Sequence, residues 1–73
     1  MLQVFGIDLS QVDGFVKLNA YVQYAQTGED IREMMEEVGR EIKYAKQTGL
    51  VRNVIVLENV FELIHNYGVA RGL

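Results

Sequence analysis

Glu62 and His65 stand three residues apart in a segment whose apolar residues recur at helical spacing. A Glu-x-x-His on one helix, joined by a glutamate from another, is how helical di-metal carboxylate sites are built. In a dimer, Glu37 or Glu41 would be the bridging carboxylate. The geometry is unfavourable. Steps of about 100° per residue put His65 on the shoulder of the Leu57/Phe61/Ile64 face and Glu62 nearly opposite it. The pair reads as solvated surface, and neither a metal site nor a cofactor is expected. Nucleophilic catalysis fares no better. There is no cysteine, Ser10 is the single serine, and no elbow motif surrounds it. The seven glycines form neither a P-loop nor a dinucleotide fingerprint. The expectation is a protein that is not an enzyme.

The acidic block offers a different chemistry. Glu29, Asp30, Glu33, Glu36, Glu37 and Glu41 against Arg32 and Arg40 leave −4 in one short window, more than the −3 of the whole chain. Exposed helix faces commonly look like this. Read functionally, the six carboxylates are a partner-binding surface that would occupy a basic groove on another protein. Met34 and Met35 are adaptable side chains that read as core fillers. Tyr21, Tyr24, Tyr44 and Tyr67 suit interfaces as well as cores. Tyr24 and Tyr44, both near helix ends, are expected to pack together at one pole. Gly39, in mid-helix, is expected to let another helix approach closely.

The elements that must position these residues are read from periodicity. Ile31, Met34, Met35, Val38, Ile42 and Ala45 follow one helical face. Thr27 and Asp30 resemble a capping box, although Asp fits its fourth position less well than Glu or Gln, Lys43 and Lys46 complement the dipole, and Gly49 supplies the C′ position. A helix over 29–47 results, with Arg32–Glu36 and Glu36–Arg40 pairs on its exposed face. Leu50, Val54, Leu57, Phe61, Ile64 and Gly68 trace a heptad seam, which predicts a helix over 51–67 with Gly68 as its C′ glycine. Leu50, Val54, Leu57, Phe61, Ile64 and Tyr67 are the residues expected to mediate self-association.

The first segment admits two readings. Val16, Leu18, Ala20, Val22 and Tyr24 alternate with polar residues, the period of a half-buried strand. Asp13-Gly14 would then be the turn pairing 15–24 with 2–9. Phe15, Leu18, Val22 and Ala25 instead step helically, with Ser10 and Asp13 at capping spacing. The near-repeat of Tyr24–Gly28 (YAQTG) in Tyr44–Gly49 (YAKQTG) favours the helix, because the second phrase is a last turn followed by its stop. The fold class expected is therefore all-α: a small antiparallel three-helix bundle (10–26, 29–47, 51–67) with a short N-terminal arm, completed by self-association. The alternative is α+β, a hairpin of 2–9 and 15–24 packed on two helices.

Composition sets the remaining bounds. The 73 residues make one small domain, 1–73. A lone core at this size supplies no more than about 3–5 kcal/mol. Without cysteine no disulfide can reinforce it, which leaves helix packing or association. The net charge and a pI near 4.9 argue against direct nucleic-acid binding and anionic membranes. No apolar run is long enough to span a bilayer, and the N-terminus lacks the basic start of a signal peptide. The chain thus reads as a cytoplasmic protein, of a cell or an infected host. Its expected role is a small acidic interaction module with a regulatory or adaptor function, acting on protein partners and as a homo-oligomer, a dimer being favoured. The alternative is a phage- or mobile-element-type inhibitor whose acidic helix blocks a basic, nucleic-acid-binding surface.

Overall fold

The computed structural model describes residues 2–73. It opens with a hairpin that closes within eight of them. Strands β1 (Gln3–Val4) and β2 (Ile7–Asp8) pair antiparallel, with Gln3 opposite Asp8 and Val4 opposite Ile7. The two-residue loop, Phe5-Gly6, has positive φ at both positions (56° and 74°). Such primed turns match the twist of the flanking strands. The Leu9 amide donates to the Leu2 carbonyl and extends the pairing by one bond.

Helix α1 (Gly14–Val22) follows. The first segment is a helix, as the preferred reading expected, and the α+β alternative is overturned. Residues 15–24 do not form a strand, and Asp13-Gly14 is no hairpin turn. Leu18, Val22 and Ala25 enter the core at helical spacing, while Val16 and Tyr24, which alternation would bury, are exposed. The helix is also shorter than 10–26. Ser10 does not cap it, because the Ser10 amide and hydroxyl both donate to the Asp8 carboxylate. Asp13 occupies the N-cap without a side-chain capping bond and pairs with Lys17 at 3.3 Å. Gly14 is buried, and a Cβ there would lie 2.7 Å from the Asp8 carbonyl oxygen and 2.9 Å from Leu9 Cα. The glycine lets the start of α1 press against the hairpin backbone. Beyond Val22 the chain leaves the helix through i→i+3 bonds, Tyr24 to Tyr21 and Ala25 to Val22.

Helix α2 (Gly28–Gln47) has the expected bounds to within one residue. Thr27 is extended, its hydroxyl accepts from the Asp30 amide, and Asp30 accepts in return from the Thr27 amide, each at 3.1 Å. At the far end the Leu50 amide donates to the Ala45 carbonyl and Gly49 to Lys46, with Gly49 at φ 73°. That is the Schellman termination. Helix α3 (Val51–Ala70) overruns the expected 51–67. Gly68 is not its C′ residue. It lies within the helix, where its missing Cβ leaves room for the Ile31 side chain. The Schellman bonds fall later, Leu73 to Gly68 and Gly72 to Val69.

The three helices and the hairpin share one core, in which Leu18, Val22, Val38, Val60 and Ile64 are essentially inaccessible. Met34 and Met35 are half-buried against it, as expected of fillers. The end of α3 is tied back to the joint between α1 and α2. The Arg71 guanidinium donates to the Ala25 carbonyl at 2.7 Å and to the Tyr67 hydroxyl at 3.0 Å. Among the described residues, no helix is long and apolar enough to cross a membrane.

Candidate functional site: an acidic cleft with aromatic walls

The hairpin turn determines where an aromatic ring goes. Phe5 holds φ 56°, a left-handed conformation that bulky residues seldom adopt. Two contacts hold it there. Its amide donates to Glu37 Oε2 at 3.1 Å, linking the turn to α2 across 32 positions of sequence. Its ring stacks on Tyr21 of α1, with centroids 4.6 Å apart and planes 25° from parallel. Backbone strain of this kind, held by surrounding contacts, concentrates at functional sites.

The stacked pair forms one side of a cleft of about 280 Å³. Tyr24 and Ala25, from the turn after α1, extend that side. Asp30, Glu33, Met34 and Glu37 of α2 form the other. Asp30, Glu33 and Glu37 are separated by three and four residues, so one stripe of the helix presents all three. Their states differ. The amides of Gln26 and Thr27 hold the Asp30 carboxyl below its ordinary pKa, the Gln26 bond being the larger cause. Glu37 is engaged by the Phe5 amide. Glu33 is exposed, with no hydrogen bond or ion pair recorded among the described residues. A carboxylate offers about four lone-pair sites, so all three retain accepting capacity. Aromatic faces beside carboxylates suit a cation, above all a planar guanidinium that can stack and be forked at once.

The six carboxylates read from the sequence as one surface are therefore divided. Asp30, Glu33 and Glu37 line the cleft, Glu29 and Glu36 are exposed beyond it, and Glu41 is half-buried one turn after Glu37. The Arg32–Glu36 and Glu36–Arg40 pairs do not close. Lys17–Asp13 is the one salt bridge among the described residues. The six residues expected to mediate association are divided too. Leu57 and Ile64 are consumed by the core, Val54, Phe61 and Tyr67 are half-buried, and Leu50 is exposed. Tyr24 and Tyr44 are both exposed and form no aromatic pair, contrary to expectation. Glu62 and His65 are exposed, and no group of three metal-ligating side chains gathers among the described residues.

Sequence reasoning missed Phe5 altogether and did not connect Tyr21 and Tyr24 with the acids. A signal was present. Val4-Phe5-Gly6-Ile7 places a glycine at the second position of a two-residue turn flanked by two β-branched residues. Comparison with family models, with curated proteins and with solved structures gives no match.

Proposed function

We propose that the protein is a small non-enzymatic interaction module, with a regulatory or adaptor role, that receives a basic side chain of a protein partner in this cleft. One observation carries the reading. The aromatic pair Phe5–Tyr21 and the carboxylates of Asp30, Glu33 and Glu37, drawn from three separate elements, face one cleft. An arginine suits it better than a lysine, because a guanidinium can lie over a ring while its fork meets Glu33. The surrounding negative charge, −3 over the chain, would steer a basic segment toward it. Broad occupation of a nucleic-acid-binding surface is less well supported. Such a surface needs an extended exposed array, and half of the acids here turn into the cleft.

The test is titration of the labelled protein with three short peptides that differ at one position, arginine, lysine or the neutral isostere citrulline, followed by amide chemical shifts. The expected result is a response at Phe5, Tyr21, Tyr24 and Glu33, strongest for arginine and lost with citrulline. A ring contact and one exposed ion pair contribute together about 1–2 kcal/mol, so Glu33→Gln should weaken binding several-fold. Equal responses to arginine and citrulline, or shifts confined to Glu29 and Glu36, would refute the proposal.

A further inference from the structure

The hairpin is fastened to the helices at two ends, and differently at each. At its base, Gly14 of α1 lies against backbone, since a Cβ there would sit 2.7 Å from the Asp8 carbonyl oxygen. At its tip, the Phe5 amide donates to Glu37 at 3.1 Å and the Phe5 ring stacks on Tyr21. Among the described residues, the Phe5–Glu37 bond is the one hydrogen bond from the hairpin to a helix. Between the base and α1 the chain runs through residues 10–13, all exposed.

Two features work against the fastening of the tip. Phe5 holds φ 56°, where a bulky side chain is disfavoured, so releasing the tip also releases backbone strain. Each strand has only two residues, and a hairpin of that size does not hold without packing on another element. The hairpin gives the core Val4 and Leu9, whereas the essentially inaccessible Leu18, Val22, Val38, Val60 and Ile64 all belong to helices. Lifting the hairpin therefore exposes far less apolar surface than unfolding the chain. That is the condition for a local opening less costly than the global one.

The cleft exists only while the tip is down. Phe5 and Tyr21 stand on one side of it and Glu37 on the other, so the contacts that seat the tip also join the two walls. We propose that the hairpin is a strap. It opens as a unit while the three helices stay folded, and its closure assembles the cleft and is favoured by the cation the cleft receives. The coupling rests on the cation-binding reading of the cleft, whereas the opening does not. A guanidinium touching both the Phe5 ring and Glu33 binds the closed form, and it shifts the equilibrium by its differential affinity for the two forms. The Phe5 amide takes Oε2 of Glu37 and leaves Oε1 for the ligand, so entry need not break the fastening.

Leu9 is the reporter. Its amide donates to the Leu2 carbonyl across the hairpin, and it lies outside the cleft lining. In hydrogen exchange of the free, full chain at low urea, the Phe5 and Leu9 amides should exchange roughly tenfold or more faster than those of Val38 and Val60. Their rates should depend little on urea, because a small opening exposes little surface. Glu37→Ala should speed Leu9 several-fold, although the Leu9 amide keeps its own acceptor. The arginine peptide at ten times its dissociation constant should slow Leu9 about tenfold, and the citrulline peptide should leave it unchanged. Phe5 and Leu9 exchanging with the rate and urea dependence of Val38 and Val60 would overturn the strap, because the hairpin would then open only with the whole fold. Arginine binding that shifts Glu33 but leaves Leu9 exchange unchanged would overturn the coupling, with the cleft reading intact. No response of any amide to the arginine peptide would refute the cleft reading and the coupling with it, while the urea dependence of Leu9 in the free chain still decides the opening.

Discussion

Gly14→Ala and Gly39→Ala are the same chemical change on two helices, and the structure gives them opposite signs. At Gly14 the new methyl would lie 2.7 Å from the Asp8 carbonyl oxygen, 2.9 Å from Leu9 Cα and 3.2 Å from the Leu9 carbonyl carbon. All three are backbone atoms, so no rotamer change can relieve the clash. Either the hairpin or the start of α1 must move. Overpacking of this kind costs about 1–3 kcal/mol, and the first residue of a helix recovers little propensity in return. At Gly39 the methyl meets no described atom within 4 Å, and the interior gain from glycine to alanine is about 0.8–1 kcal/mol. The two variants should therefore differ by about 2–4 kcal/mol. Total stability for 73 residues at about 0.05–0.15 kcal/mol per residue is itself only about 4–11 kcal/mol. Urea unfolding followed by far-UV circular dichroism, at concentrations low enough to suppress association, measures this difference as a change in midpoint at constant slope. Gly14→Ala should fall below the wild type and Gly39→Ala rise above it. A Gly14→Ala variant as stable as the wild type would show that the hairpin does not rest on α1 as described. A destabilised Gly39→Ala variant would show that the space beside Gly39 is not open.

Two further outcomes follow from the contacts of α2. Replacing Glu37 by Ala leaves the half-buried Phe5 amide without its acceptor and should cost about 1 kcal/mol. Near-ultraviolet dichroism should report loosening of the Phe5–Tyr21 stack, and an unchanged spectrum would contradict the link between turn and helix. The capping box gives a pH dependence. Asp30 is held below its ordinary value of 3.8 in the folded chain, so its contribution is complete above the unfolded value and is lost as pH falls through the folded one. Thr27→Ala should lower stability by about 1 kcal/mol at neutral pH, and Asp30→Asn should flatten the acid limb of the stability curve. An acid limb unchanged by Asp30→Asn would refute the cap's contribution.

The sequence was legible where one physical signal had no competitor. In α2 the apolar face, the Thr27/Asp30 box and Gly49 agree, and the helix has those limits. The twin phrases misled because Thr-Gly can serve either end of a helix. Thr48-Gly49 closes α2 with a left-handed glycine, whereas Thr27-Gly28 opens it, the threonine extended and the glycine already helical. The heptad seam of α3 failed differently. A straight helix drifts about 20° per heptad from a 3.5-residue repeat, so Leu50 ends exposed while Val60, off the seam, is fully buried. The hairpin's signal was too weak to stand out, for a third reason. Only four residues pair in it, and an aromatic residue is not expected at positive φ.

The candidate site shows how far such reading can reach. Its acids were legible because they share one helix and sequence spacing alone places them. Its aromatic wall was not, because Phe5 arrives from a turn whose conformation depends on the partner it meets, the Glu37 carboxylate. The dependence runs both ways. Without Phe5 against it, Glu37 would be one more solvated glutamate on an acidic face, and the cleft would be an open helix surface. What separates a site from a charged patch here is one backbone hydrogen bond and one ring stack, and both originate in Phe5, a non-glycine residue at positive φ. On the other flank of α2 the surface is open, and a Cβ at Gly39 would meet no described atom within 4 Å. A single helix thus carries two differently built surfaces, one closed by the hairpin and one left open, and the sequence of α2 alone distinguishes neither.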